Sequence, residues 1–162
     1  MTNNGILQEL ARQVRRDTIR VLDAAELAWL TCAPAGTSNH ILWHAGHALW
    51  LQDLLCERLL GAGGNLPSDW SEKFGMNCKP PSQTREWPSR GEVSSLLQAQ
   101  LGRIVDLLAA ASDRRLAEIA DASRGSATIA DRIIHGLHDE AKHCGEMYLI
   151  LKLCRVQGTS NR

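Results

Sequence analysis

Apolar side chains recur at helical spacing in four segments of the chain. These segments run from about residue 6 to 30, from 39 to 60, from 91 to 112 and from 128 to 156. The sequence has no alternating run of valine or isoleucine of the kind that predicts a strand. The pattern therefore predicts an all-α fold, and four amphipathic helices of this length predict a four-helix bundle.

Polar residues suited to helix capping precede three of these segments. Thr37 or Ser38 is placed to cap the second helix, because either hydroxyl can accept a hydrogen bond from the first turn. Ser89 precedes the third helix and Thr128 the fourth, and each is followed three positions later by an acidic residue. That spacing is typical of a capping box, so we expect helices to begin at these two points.

About thirty residues, 61–90, separate the second predicted helix from the third. A connection this long within a compact domain is usually functional or disordered. Trp70, Phe74 and Trp87 favour an ordered loop that packs over another part of the molecule. The sequence shows no repeat, and its length suits a single domain over residues 1–162.

Composition and charge exclude several classes of function. Lys plus Arg and Asp plus Glu number 18 each, so no overall field favours nucleic acid or an acidic membrane surface. The chain lacks a run of about 18 apolar residues, and its start lacks the pattern of a signal peptide. The five cysteines are an odd number without paired metal-ligand spacing. We therefore expect free thiols, a cytoplasmic location, and neither nucleic acid nor membrane as a partner.

Histidines repeat along one face of the second predicted helix. In "NHILWHAGHALWLQ", His40, His44 and His47 lie at positions i, i+4 and i+7, and leucines continue the same stripe. Because the stripe becomes apolar, His47 is the histidine that we expect to be buried. Gly46 beside it removes a side chain and would let a neighbouring helix approach closely.

The last predicted helix carries a second group of polar residues in "LHDEAKHCGE". His138 and His143 are five positions apart, about 140° around a helix, and cannot easily share one ion. Asp139 and Glu140 lie four and three positions before His143, on a face that continues into apolar residues. A carboxylate or imidazole on an inward face is costly unless it is paired or bound to a metal.

The residues His47, Asp139 and His143 therefore form a candidate metal site between two helices. Three protein ligands would leave a position open for water or substrate, as catalytic zinc sites require. This ligand set suits Zn²⁺, Ni²⁺ or Fe²⁺, and ligand type alone does not choose among them. The simpler alternative is an i,i+4 pair of Asp139 and His143 on a solvated face, with His47 packed in the core.

Two stretches of the sequence, "ILWHAGHALWLQD" and "DEAKHCGEMYLILKL", resemble motifs of the DinB/YfiT-like superfamily. The first is similar to that family's tryptophan-led W-H-x-x-H stretch and the second to its H-x-G-[EQ] ending. The order and lengths of the predicted helices also agree with the family over nearly the whole chain. The resemblance implies a helical bundle that binds a divalent metal, most often zinc or nickel, with iron or manganese as alternatives.

The resemblance also implies which residues would bind the metal. The family usually uses one histidine from the second helix and an H-x-x-x-H pair from the last. His47 matches the first and His143 the last, whereas Asp139 stands where the family most often has histidine. Glu140 or His138 are alternatives to Asp139.

Two further residues have weaker parts in this prediction. His44 is a reserve candidate or a group that supports a ligand, and Glu146 could orient a ligand or accept a proton.

The activity implied by the resemblance is metal-dependent chemistry on a small molecule. Relatives use the metal to activate water or a low-molecular-weight thiol such as bacillithiol, mycothiol or glutathione, and many are homodimers. Thiol transfer or hydrolysis is therefore the leading hypothesis. The alternatives are a non-catalytic metal-binding or stress-response module and a purely structural helical protein.

Overall fold

The computed structural model describes residues 3–78 and 86–160, and these residues are mostly helical. They form the helices α1 (Asn3–Ala24), α2 (Ile41–Gln52), α3 (Trp70–Phe74), α4 (Arg90–Ala110), α5 (Asp113–Leu116) and α6 (Ile129–Ser160). Within the described ranges there is no strand, only one isolated antiparallel bridge between Ile119 and Thr128. The prediction of an all-α fold is confirmed.

The four long helices pack as a bundle. Helix α1 contacts α4 and α6, and α2 also contacts α4 and α6, so the four enclose a common interior. Two apolar clusters fill it. The first includes Leu22, Leu49, Phe74, Leu97 and Met147, and the second includes Leu7, Ile104, Leu108, Ile133 and Leu137. No helix in the described part of the chain is both long enough and apolar enough to cross a membrane.

A polar layer of buried side chains lies between the two apolar clusters along the helices. Its members are Arg15, Thr18, Gln52, Glu57, Gln100 and Glu140, each at most 2% exposed. Each of the four long helices contributes to the layer, Glu57 coming from the turn that continues α2. The interior therefore contains charge as well as apolar side chains, and the charge must be paired within the protein.

The first helix ends earlier than the sequence pattern predicts. Helix α1 stops at Ala24, and a separate 3₁₀ turn, Leu27–Trp29, follows. Ala25 and Leu30 are both buried in the core. Because positions five apart lie about 140° apart on a continuous helix, the break allows both side chains to face inward.

The start of α2 corrects the prediction that Thr37 or Ser38 caps this helix. The capping residue is His40, whose Nδ1 accepts a hydrogen bond from the Trp43 N–H at 3.1 Å. An imidazole nitrogen with a lone pair satisfies the helix terminus as a hydroxyl would. The two other predicted caps are confirmed, because the hydroxyls of Ser89 and Thr128 accept from backbone N–H groups three residues later.

Helix α2 continues as a π-helical turn, Asp53–Glu57. The N–H of Arg58 donates to the carbonyl of Asp53, five residues earlier, at 3.0 Å. This widened turn is consistent with a helix that must bury both Asp53 and Glu57, at 2% and 0% exposure. The predicted second helix, residues 39–60, is therefore an α-helix with an irregular end.

The structure describes residues 61–78 and 86–89 of the long connection after α2, and residues 79–85 of the predicted loop lie outside the described ranges. Trp70 and Phe74 of α3 are 3% and 0% exposed. The indole N–H of Trp70 donates to the carbonyl of Gly46 at 3.0 Å. A Cβ on Gly46 would lie 2.3 Å from the Phe74 ring. Gly46 thus admits a neighbouring helix, and that helix is α3 of the connection.

Candidate metal centre

Helices α2 and α6 bring His47, Asp139 and His143 together. Each residue offers one potential ligand atom, and these three atoms lie within 4.8 Å of one another. His47 is buried, and the other two are half-buried. The alternative in which Asp139 and His143 lie on a solvated face away from His47 does not describe this structure.

His47 is held in one orientation by its surroundings. Its Nδ1 lies 2.5 Å from the Phe74 carbonyl oxygen, which only accepts, so Nδ1 carries the proton and donates. The ring stacks between Trp43 and Trp50, at centroid distances of 4.7 and 5.4 Å. Burial lowers the pKa of His47, so the ring is neutral near pH 7. A neutral ring protonated at Nδ1 leaves the Nε2 lone pair available to a metal ion.

His143 is oriented by another histidine, His44. Their Nδ1 atoms lie 2.8 Å apart, so one ring donates and the other accepts. Burial, together with the neighbouring histidines, lowers the pKa of His44 to about 3. Burial and His47 lower the pKa of His143 to about 4. Both rings are therefore neutral near pH 7, which is the state that metal coordination requires.

Asp139 supplies the carboxylate of the group. Its side chain is 28% exposed, and its Oδ1 lies 3.7 Å from the Lys142 ammonium. Its charge raises the pKa of His47 and His143, which partly offsets the effect of burial. A carboxylate beside two neutral imidazoles is a suitable donor set for a divalent transition metal.

Of the other candidates from the sequence, His44 contacts the group, whereas Glu140, His138 and Glu146 are not part of it. Glu140 points into the polar layer, where both of its oxygens accept hydrogen bonds, so it does not replace Asp139. His138 and Glu146 are exposed on α6. His40 caps α2, and its ring contacts Trp87 edge to face at a centroid distance of 4.5 Å.

The sequence pattern did not predict that Glu140 forms a buried ion pair with Arg15. The signal was present, because Arg15 and Thr18 interrupt the apolar face of α1 at helical spacing between Ala11 and Leu22. A charged residue at such a position predicts a buried partner. The identity of that partner, 125 residues away, could not be read from the spacing.

A cavity of about 330 Å³ has Trp50 in its wall, and Trp50 stacks on His47, although none of the three residues of the group lines the cavity. Asp53, Arg58, Leu66 and Trp70 are among its other lining residues. A hollow of about 360 Å³ lies elsewhere, lined by the starts of α1 and α6 and by α5, and is not part of the site. The smaller cavity has the mixed aromatic and polar walls that are typical of small-molecule sites.

A sequence model of the DinB superfamily matches residues 10–147, which include all three residues of the group. The chain belongs to the DinB superfamily. Among solved structures, a conserved protein from Enterococcus faecalis superposes on this DinB-superfamily chain with a TM-score of 0.67. The two are 20% identical, and the match covers 94% of this chain and 97% of the other. At that identity the likeness shows the fold alone. No curated protein matches the chain.

Proposed function

We propose that this DinB-superfamily protein binds one divalent metal ion through His47, Asp139 and His143 and acts on a small molecule. The supporting observation is that one potential ligand atom of each residue lies within 4.8 Å of the others. Zinc or nickel suits the donor set, with iron or manganese as alternatives. Such an ion, when bound, supplies a Lewis acid that lowers the pKa of water or of a thiol.

The residues of the chain prepare the site for that ion. Burial keeps His47 and His143 neutral, so binding near pH 7 need not displace a proton from either ring. The Phe74 carbonyl fixes the tautomer of His47, and His44 orients the ring of His143. The Asp139 carboxylate contributes one negative charge.

The substrate that we propose is a small molecule that enters beside Trp50, where the cavity of about 330 Å³ lies. The reaction would be transfer of a low-molecular-weight thiol or metal-assisted hydrolysis, as the superfamily resemblance implies. A cytoplasmic location and a homodimer belong to the same proposal. Tyr148 and Leu149, both exposed on α6, are apolar positions through which two copies could associate.

A second candidate function is a metal-binding module without catalysis. The observation that favours it is the tight enclosure of His47, which is 3% exposed between two tryptophans. Asp139 in place of the family's usual histidine supports the same alternative. Turnover of a low-molecular-weight thiol with a panel of electrophiles by the zinc- or nickel-loaded protein would distinguish the enzyme from the module.

The metal content of purified protein tests the site. We expect one equivalent of metal in the wild type and loss of that equivalent in His47→Ala and in His143→Ala. The matched control is His135→Ala, because His135 is an exposed histidine on the same helix as His143. One equivalent retained in both site variants would contradict the assignment.

A further inference from the structure

The centre of the polar layer is an ion pair between Arg15 of α1 and Glu140 of α6. The side chains are 2% and 1% exposed. Arg15 Nε lies 2.8 Å from Glu140 Oε1, and an Arg15 terminal nitrogen lies 3.0 Å from Oε2, so the contact is bidentate. Because desolvation offsets most of the attraction within a buried pair, such a pair is weak evidence for net stabilisation. The main effect of this pair is therefore expected on the relative positions of the helices and not on stability.

Glu140 joins three helices through its two oxygens. Besides Arg15, Oε1 accepts from the Thr18 hydroxyl of α1 at 3.1 Å, and Oε2 accepts from the Gln52 amide of α2 at 3.0 Å. Arg15 in turn donates to the Leu97 carbonyl and to the Gln100 side chain of α4, at 3.2 and 3.0 Å. One ion pair therefore fixes all four long helices relative to one another.

The same contacts lie next to the candidate metal ligands. Glu140 follows Asp139 directly and precedes His143 by three residues, while Gln52 follows His47 by five. A slip of α6 by one residue would move it by about 1.5 Å and turn it by about 100°, taking Asp139 and His143 away from His47. Apolar packing is weakly directional, whereas a bidentate ion pair with two further hydrogen bonds defines both the rotation and the register of a helix.

We propose that the Arg15–Glu140 pair is a positioning device that aligns α6 with α2, so that Asp139 and His143 meet His47 in a single metal-binding geometry. This inference rests on the proposed metal site. It assigns neither Arg15 nor Glu140 to the metal or the substrate. Their effect is transmitted through the helices that they join.

A second carboxylate of the same layer provides a matched control. Glu57 is 0% exposed and accepts from Gln100 at 2.7 Å and from Arg103 at 2.6 Å. It lies in the π-helical turn, ten residues after His47, and the two groups that donate to its oxygens both belong to α4. Glu57→Gln therefore removes an equally buried charge from the layer without removing the contact that aligns α6.

Titration with Co²⁺, a spectroscopic substitute for zinc, tests the proposal through affinity and the d–d absorption spectrum. We compare wild type, Glu140→Gln and Glu57→Gln, with urea unfolding of each metal-free protein. Since Glu140→Gln leaves Arg15 unpaired and could unfold the bundle, the set includes Arg15→Met/Glu140→Gln. The double variant removes both charges and keeps a side chain that can bond to Thr18 and Gln52.

The expected result is a loss of Co²⁺ affinity of about 10- to 100-fold in Glu140→Gln and in the double variant, with a changed spectrum. Glu57→Gln should keep the wild-type spectrum and affinity. A folded double variant with wild-type affinity and spectrum would contradict the positioning role and leave the metal site standing. A loss of Co²⁺ affinity in Glu57→Gln as large as the loss in Glu140→Gln would have the same meaning. Failure of the wild type to bind one equivalent of Co²⁺ would contradict the metal site and the positioning role with it.

Discussion

Two groups of polar side chains lie between the helices of this bundle, one fully buried and one partly buried, and they are arranged in opposite ways. In the polar layer, acceptors face donors: both oxygens of Glu140 and both oxygens of Glu57 accept from protein groups. In the candidate metal centre, potential electron-pair donors converge: two neutral imidazoles and a carboxylate lie within 4.8 Å. Donors and acceptors that are paired with each other satisfy buried polar groups of the fold, whereas lone pairs that converge on one point favour the binding of a cation.

Replacing the adjacent residues Glu140 and Asp139 should lower the stability of the metal-free protein by very different amounts. Glu140→Ala leaves Arg15 as an unpaired buried charge and should lower the free energy of unfolding of the metal-free protein by about 3–5 kcal/mol. Asp139→Ala, at a half-exposed position, should change it by less than about 1 kcal/mol. Urea denaturation without metal measures both. Equal losses of stability in Glu140→Ala and Asp139→Ala would contradict the distinction between a polar layer that stabilises the fold and a centre that does not.

A substitution at the contact between α3 and the centre should lower stability by an intermediate amount. Gly46→Ala places a methyl group against the ring of Phe74, the residue whose backbone carbonyl orients His47. The substitution should lower the free energy of unfolding by about 1–3 kcal/mol. Gly102→Ala is the matched control, because a Cβ there meets nothing within 4 Å. That exposed position inside α4 should gain about 0.5–1 kcal/mol from better helix propensity. Thermal unfolding of Gly46→Ala and Gly102→Ala measures both changes in stability. A Gly46→Ala protein more stable than the wild type would show that α3 does not pack as described.

An effect of pH on stability is expected from the histidines of the centre and from their neighbour His40. Burial lowers the folded-state pKa of His40 to about 4, of His44 to about 3 and of His143 to about 4, below the ordinary value of 6.5. Below pH 6.5 the unfolded chain therefore binds protons that the folded protein does not. Stability of the metal-free protein should fall as pH decreases from 6.5 towards 4.

Urea midpoints between pH 7.5 and 5 measure this decline. A His44→Asn variant should lose stability less steeply with acid than the wild type, and His138→Asn, at an exposed position on α6, should follow the wild type. A midpoint that is constant or rises as the pH falls would contradict the assignment of neutral buried histidines.

Much of this molecule could be predicted from helical periodicity. Spacing alone placed Asp139 and His143 on one face of α6, because residues three or four apart share a helix face. It also predicted that His47 is buried, which is confirmed, but not that His44 and His40 are buried as well. The superfamily resemblance then linked the two helices. Ser89 and Thr128 were recognised as caps for a similar reason, since capping depends on neighbours in the sequence.

The features that escaped prediction depend on contacts between distant parts of the chain. Glu140 has the same local pattern as a metal ligand, and only its pairing with Arg15, 125 residues away, gives it a different role. The π-helical turn that buries Glu57 has no signature in the hydrophobic pattern. His40 as a cap also escaped prediction, because an imidazole nitrogen is not among the usual capping groups, which are the side chains of Ser, Thr, Asp and Asn.

The most direct test of the central claim is a crystal structure of the zinc-loaded protein, with anomalous diffraction to locate the ion. We expect one fully occupied site bonded to His47, Asp139 and His143, with Glu140 still paired to Arg15. An ion bound instead at the exposed histidines of α6, at a cysteine or at Glu140, with none among these three residues, would contradict it.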